Sequence, residues 1–442
     1  MEIYLVRGGE SLSAVARRFG TEAAELARIN QLSDPARLVP GMALLVPGES
    51  ESERRSIEVN ACAYPTISDA VMAETLPYLS FFCPLAYRVS TAGELMPAED
   101  ARLISAACAQ RAAALMTVTN IGRSGGYSGE AAHAIFTVPA VQDAFFDSLL
   151  RLLRQKGYYG VNFHLQYIYP YDREAYSAFL RRASEELHRQ GYFLLSSIAP
   201  RESGAQEGLL CAAQDYAAHG KYADRVVILC HDWGYSYSAP QAVSPLNRVR
   251  RVLEYAVGEI PPGKLLLGCS LCGYSWRLPW RQGDAAVPVS SAAAMNLAVA
   301  SGAEIKLDKG AQSPFFTYTD AAGERRLVRF EDARSHRARL RLVRDYSLAG
   351  LSLNTANRLC RPMLELLGSM FAGSPSSPSP SWSPPLPLLS LSSKNIASYS
   401  ESSLILRSVR TGLVFPSDHI ANAQPSSGTA TTMVASAPAA TT

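Results

Sequence analysis

A chain of 442 residues, 48% hydrophobic and 18% charged, is too long for one ordinary core and predicts two or three folded units. Its net charge of +3 is close to balance, which supplies no basic field for nucleic acid or an anionic membrane surface. No apolar run reaches the roughly 18 residues needed to span a bilayer, and Met1 to Arg7 enters domain-like sequence at once, so neither a membrane span nor a secretory leader is expected.

Residues 1–48 predict a strand, two helices and a second strand. Ile3 to Val6 is strand-like, Ser11 is placed to cap a helix whose Leu12, Val15, Ala16 and Phe19 share one face, and Gly20 is placed to end it. A second helical run covers Ala23 to Ile29, and Leu38 to Pro47 closes the unit. This βααβ pattern resembles the LysM domain along its whole length, with Gly9-Glu10-Ser11-Leu12 standing where the family has Gly-Asp-Thr-Leu. The resemblance implies binding of glycans that contain N-acetylglucosamine, such as peptidoglycan and chitin. They would lie in a groove between the first strand-to-helix loop and the loop before the second strand, with Gly9, Glu10, Ser11, Leu12, Asn30, Pro40 and Gly41 as its residues. Any one of these also reads as turn or core, but the turn chemistry and both apolar faces agree. Charged, Ser-rich residues 49–56 read as a linker, about which the flanking units are expected to move.

From Ile57 onward, strand-like and helix-like runs alternate. The strands are expected at Ile57–Ala61, Tyr78–Leu85, Ala114–Thr119, Val161–Tyr167, Phe193–Ile198, Arg225–Cys230, Lys264–Gly268 and Gly350–Leu353. Helical runs include Val141–Gln155, Arg173–Gln190, Pro245–Val257 and Phe330–Asp345. Eight strands in about three hundred residues predict an α/β fold, a (β/α)8 TIM barrel over residues 57–371. Asp284 to Tyr318 interrupts the rhythm between the seventh and eighth strands.

The fourth strand organises the rest. In Gly157-Tyr158-Tyr159-Gly160-Val161-Asn162-Phe163-His164-Leu165-Gln166-Tyr167, alternation puts Asn162, His164 and Gln166 on one face, at the end of the strand where a barrel keeps its site. The segment resembles the D-x-x-D-x-D-x-E motif of glycoside hydrolase family 18, in the form found in spore cortex and coat glucosaminidases of the SleL and YaaH type, where Asn takes the second Asp position. Tyr159, Asn162, His164 and Gln166 stand at the four motif positions. Family 18 enzymes are implied to retain configuration by substrate assistance: the Glu protonates the leaving oxygen while the third Asp orients the substrate's own N-acetyl group. Gln166 has nearly the shape of Glu but no acidic proton, and loss of a positioned acid costs about 10²–10⁴-fold in rate. His164 is bulkier than Asp and can hydrogen-bond an acetamido oxygen.

The other strand ends extend the resemblance. Leu229 to Tyr235 matches the sixth-strand pattern with His231 in place of a Tyr, beside Asp232 and Trp233. Leu267 to Trp276 matches the seventh with Cys272 in place of a Tyr, and Asn354 stands where the family has a Trp floor. Phe330-Glu331-Asp332-Ala333-Arg334 keeps the register, and the interruption at Asp284–Tyr318 corresponds to the small inserted α+β lobe of some family members. The expected sugar contacts are Asn162, Tyr167, His231, Asp232, Trp233, Tyr274 and Asn354. For Tyr167, Trp233, Tyr235, Tyr274 and Trp276, core packing and sugar stacking are equally open readings. A metal site from His164, His231 and Cys230 or Cys272 has no ligand spacing behind it. Cys269-x-x-Cys272 lacks the strand-to-helix context of a redox pair, and the eight cysteines read as buried thiols. No cofactor or metal is expected.

After Phe371, residues 372–442 are low in complexity and predict a disordered tail. The expected function is binding of peptidoglycan or a chitin-like polymer by a barrel that no longer hydrolyses it, a pseudoenzyme on the spore coat or cortex or in the cell wall. It would be deposited from the mother-cell cytoplasm, with spore coat proteins as further partners. Two rivals stay open: an N-acetylglucosaminidase in which Asp232 or Glu202 replaces the lost acid, and a barrel with a blocked cleft where only the LysM unit touches glycan.

Overall fold

The computed structural model describes residues 1–48, 55–122 and 125–371. Most of the expected linker and the whole of the expected tail lie outside them. In chain order, β1 (Glu2–Leu5) and β2 (Ala43–Val46) pair antiparallel around helices Leu12–Arg18 and Ala23–Ile29. Ser11 caps the first helix by accepting from Ala14 N at 3.2 Å, as its hydroxyl and position require. Asn30, buried after the second helix, accepts from Leu45 N and donates to Leu26 O and Leu45 O, which ties helix to strand.

Then come β3 (Glu58–Ala63), β4 (Phe81–Pro84), the short hairpin β5 (Tyr87–Val89) and β6 (Leu95–Met96), β7 (Ala113–Thr119), β8 (Gly160–His164), β9 (Phe193–Ile198), β10 (Arg225–Ile228) and β11 (Leu265–Ser270). A lobe follows, β12 (Cys272–Leu278), β13 (Val287–Ser290), helix Ser291–Ser301, β14 (Lys306–Asp308), β15 (Ser313–Thr319) and β16 (Arg325–Arg329), before β17 (Gly350–Asn354). Strands β3, β4, β7, β8, β9, β10, β11 and β17 pair parallel in that order, and β17 pairs with β3 to close a (β/α)8 barrel. Buried Leu, Val, Ile and Phe from these strands pack against the helices, so the polar residues at the strands' C-terminal ends are left to form a cleft.

The lobe is larger than the 284–318 expected from sequence. The strand expected over Lys264–Gly268 is β11, and directly after it β12, which no expected element covered, leaves the barrel to pair with β16 and β13. The fourth barrel strand is shorter than expected, ending at His164, with Tyr167 already at φ 55°.

The N-terminal unit is not free of the barrel. Val6, Leu12, Val15, Met42, Leu44 and Val46 share one core with Met295, Val299, Ile305, Phe316 and Phe330. Ile305 N donates to Pro40 O at 3.0 Å, and Ser33 N to Asn296 Oδ1 at 3.0 Å. The independent motion inferred from a soluble linker therefore gives way to a packed interface.

Candidate functional site

The cleft encloses about 990 Å³ including its open mouth. Its lining comes from the ends of β3, β7, β8, β9, β10 and β17 and the loops that follow, and it includes Thr117, Thr119, His164, Gln166, Ser197, His231, Asp232 and Asn354. Register explains the grouping: Thr117 lies beside Asn162 and Thr119 beside His164 on paired parallel strands, so their side chains share a face.

Gln166 lies just past the end of β8, where the ladder has stopped. The Asn120 side chain takes over: Oδ1 accepts from Gln166 N at 3.0 Å, and Nδ2 donates to Gln166 O at 2.7 Å. The Gln166 side chain, 3% exposed, donates from Nε2 to Ser197 O at 3.1 Å. Ser197 Oγ donates to Asn162 Oδ1 at 2.9 Å, while Asn162 Nδ2 has no hydrogen-bond partner among the described residues.

Two imidazoles face the cleft. Burial, and after it the nearby His231, pull the His164 pKa down to about 4 against the attraction of Asp232. His164 is therefore neutral near pH 7, and its Nε2, 3.2 Å from Tyr127 Oη, accepts from the phenol. Burial raises the Tyr127 pKa, so that phenol keeps its proton. His231 Nδ1 lies 2.8 Å from Asp232 Oδ2, and Asn354 Nδ2 lies 3.3 Å from His231 Nε2. The consistent assignment has Nδ1–H donating to the carboxylate and Nε2 accepting from the amide.

The structure gathers Gln166, His164, Tyr167, His231, Asp232 and Asn354 around the cleft, with Asn162 beneath it. Trp233 and Tyr274 fall elsewhere. Trp233 is buried in the barrel core with the Arg248 guanidinium 5.3 Å from its ring centroid. Tyr274 leaves on β12 and packs with Tyr235, Val243 and Trp276, so for these two the packing reading describes the contacts seen. Glu202 is held by Arg248 at 2.7 Å and Arg251 at 2.6 Å and lies outside the cleft lining; burial alone would raise its pKa, but the two guanidinium groups bring it below the usual value. Cys272 bonds Ser270, and among the described residues no group of three or more His, Cys, Asp or Glu side chains is placed to hold a metal ion. No helix among them is long and apolar enough to cross a membrane.

At the N-terminal unit, Glu10 accepts from Tyr4 Oη and from Arg7 N, Gly9 is open at φ 82°, and Leu12 is core. A Cβ on Gly8 would lie 3.8 Å from Pro40 Cγ, which sets the two groove loops side by side. Gly41, at φ 77°, lies so close to the Ile305 carbonyl that a side chain there would collide with it.

Sequence reasoning missed Tyr127, Asn120 and Ser197. Asn120 follows an expected strand directly and was detectable as a polar residue at a strand end; Tyr127 sits in a loop with no periodic signal.

A parallel eight-stranded barrel with a polar cleft at its C-terminal face, carrying an α+β lobe after the seventh strand, defines a (β/α)8 TIM-barrel protein. The chain belongs to glycosyl hydrolases family 18, whose sequence profile matches residues 101–357, and residues 4–47 match the LysM domain. It is 36% identical to the cortical fragment-lytic enzyme of Bacillus subtilis (strain 168) over 80% of this chain and 94% of that protein. The crystal structure of the spore cortex-lytic enzyme SleL from Bacillus megaterium QM B1551 superimposes with a TM-score of 0.80 at 28% identity, over 84% of this chain and 97% of that one. The SleL structure from Bacillus cereus gives 0.71 at 31%, over 85% and 88%.

Proposed function

We propose that this protein binds an N-acetylglucosamine-containing polymer, peptidoglycan or a chitin-type chain, in the bacterial spore envelope or cell wall, and that its barrel holds the glycan without cleaving it. The observation that carries this reading is Gln166. A neutral amide, buried and donating to the Ser197 carbonyl, stands where the family's acid would protonate a leaving oxygen. His164, kept neutral by burial, brings no negative charge to steady a developing oxazolinium. What remains is a polar floor of amides, hydroxyls and imidazoles able to hydrogen-bond a sugar. The LysM unit and the cortical fragment-lytic relatives favour peptidoglycan as the ligand. Deposition from the mother cell, with contacts to coat proteins, follows from the same reading.

The purified full chain is expected to retain cortex fragments and chitooligosaccharides and to release no reducing ends. The double substitution His164→Asp with Gln166→Glu is expected to restore measurable release. Turnover by the unmodified protein overturns the proposal.

One observation favours an active alternative: Asp232 is the sole carboxylate among the described residues that line the cleft. Under that reading parent turnover disappears in Asp232→Asn, whereas under ours there is none to lose.

A further inference from the structure

We propose that the barrel carries an outer sugar-stacking platform, built from Tyr171 on Tyr169 and braced by His133, that takes pyranose rings of the same glycan beyond the cleft. It rests on the reading that the cleft holds glycan. Tyr171 is 73% exposed, more than any other large hydrophobic side chain described. A lone exposed ring needs no explanation, but this one is held. It stacks on Tyr169 with centroids 5.1 Å apart and planes 22° from parallel. The edge of His133 meets both rings, at 5.9 Å and 80° for Tyr171 and 6.3 Å and 62° for Tyr169. Asp172, buried, fixes the imidazole through Oδ1 at 2.8 Å from His133 Nδ1. Gly129 makes room underneath, since a Cβ there would sit 2.8 Å from Tyr169 Cζ. The rings are thus positioned before any ligand arrives, which removes an ordering cost from binding.

The occupant follows from continuity with the cleft. Tyr127 and Tyr167 stack at its wall, 5.4 Å apart and 28° from parallel. Gly129 and His133 lie just after Tyr127 in the chain, while Tyr169 and Tyr171 lie just after Tyr167, so both aromatic pairs stand on the same two segments. Four residues of chain span at most about 14 Å, the reach of a few sugar rings. Tyrosine presents an apolar face to the C–H face of a pyranose and a hydroxyl at its edge, which suits a carbohydrate chain better than a purely apolar ligand.

The test measures affinity of the full chain for chitobiose and chitohexaose by calorimetry in the parent, Tyr171→Ala, Tyr171→Trp and the cleft-filling His164→Trp. The difference between parent and His164→Trp isolates barrel binding from LysM binding. Tyr171→Ala is expected to lower the barrel affinity for chitohexaose roughly fivefold to tenfold and leave chitobiose unchanged, while Tyr171→Trp retains both. Unchanged chitohexaose affinity in Tyr171→Ala, with His164→Trp still abolishing barrel binding, overturns the platform and leaves the cleft reading standing. If His164→Trp binds both sugars like the parent, the cleft reading fails and the platform with it. Sedimentation adds one further outcome: self-association lost in Tyr171→Ala at unchanged sugar affinity makes the rings a contact between copies and overturns the proposal.

Discussion

Because β8 ends at His164, the N–H and C=O of Gln166 have no strand beside them, and one side chain, Asn120, satisfies both. Truncating it strands two buried backbone groups, each costing about 1–3 kcal/mol when left unpaired. Asn120→Ala is therefore expected to lower unfolding free energy by roughly 2–6 kcal/mol in urea; an unchanged midpoint would show that water or the Gln166 amide replaces the clasp. Gln166→Glu probes the site from the other side. The new carboxyl would be buried against the Ser197 carbonyl, an acceptor that stabilises only the protonated form, so it is expected to titrate above the usual carboxylate value of about 4.3. Carbon NMR of the labelled side chain measures this, and a value at or below 4.3 contradicts the geometry. His164 and Gln166 were legible as cleft residues because they stand two positions apart in one short segment, at and just past the end of β8. That Asn120, directly after β7, and Ser197, on β9, are their partners was not, because a strand's own pattern does not say which strand end lies beside it.

Between elements, the lobe decides how the N-terminal unit sits. Its helix Ser291–Ser301 and strand β15 supply Met295, Val299 and Phe316 to a core whose other half is Leu12, Val15 and Leu44. The two βααβ strands alone make a two-stranded sheet, which is marginal without packing. Phe316→Ala is expected to cost about 3–5 kcal/mol, and it should speed amide exchange in residues 1–48 as well as in the lobe. If exchange in residues 1–48 stays at the parent rate, the N-terminal unit is stable without this contact. The strand and helix periods that revealed both units gave no sign of the contact, because each pattern reports only that a face is apolar and not what covers it.

At the scale of the whole molecule, burial holds His164, His219 and His336 neutral. Burial is the first cause in each, pulling His164 to about 4 and His219 and His336 to about 3. In the unfolded chain each takes a proton near pH 6.5, so the unfolded state binds more protons below that value. Their contribution to stability is complete above pH 6.5 and is lost as the pH falls toward the folded values. Glu331 acts in the opposite sense. Burial raises it to about 7 despite Arg339, so the folded state keeps a proton that the unfolded carboxyl gives up above about 4.3. One group against three leaves acid destabilising. Stability is expected to fall by roughly 2 kcal/mol per pH unit between pH 6 and pH 5. A melting temperature level from pH 7.5 to 5 contradicts that balance, whereas His219→Phe should flatten the slope.

The sequence by itself determined the eight-stranded barrel, the βααβ unit before it and the presence of a neutral amide at position 166, because hydrophobic period, turn chemistry and the identity of a side chain are local properties. Only the tertiary structure decided which polar groups meet in the cleft, that Trp233 and Tyr274 pack away from it, where the lobe begins and what the N-terminal unit leans on. Those outcomes depend on strand register and on which apolar faces cover one another, and both are set by residues far apart in the chain.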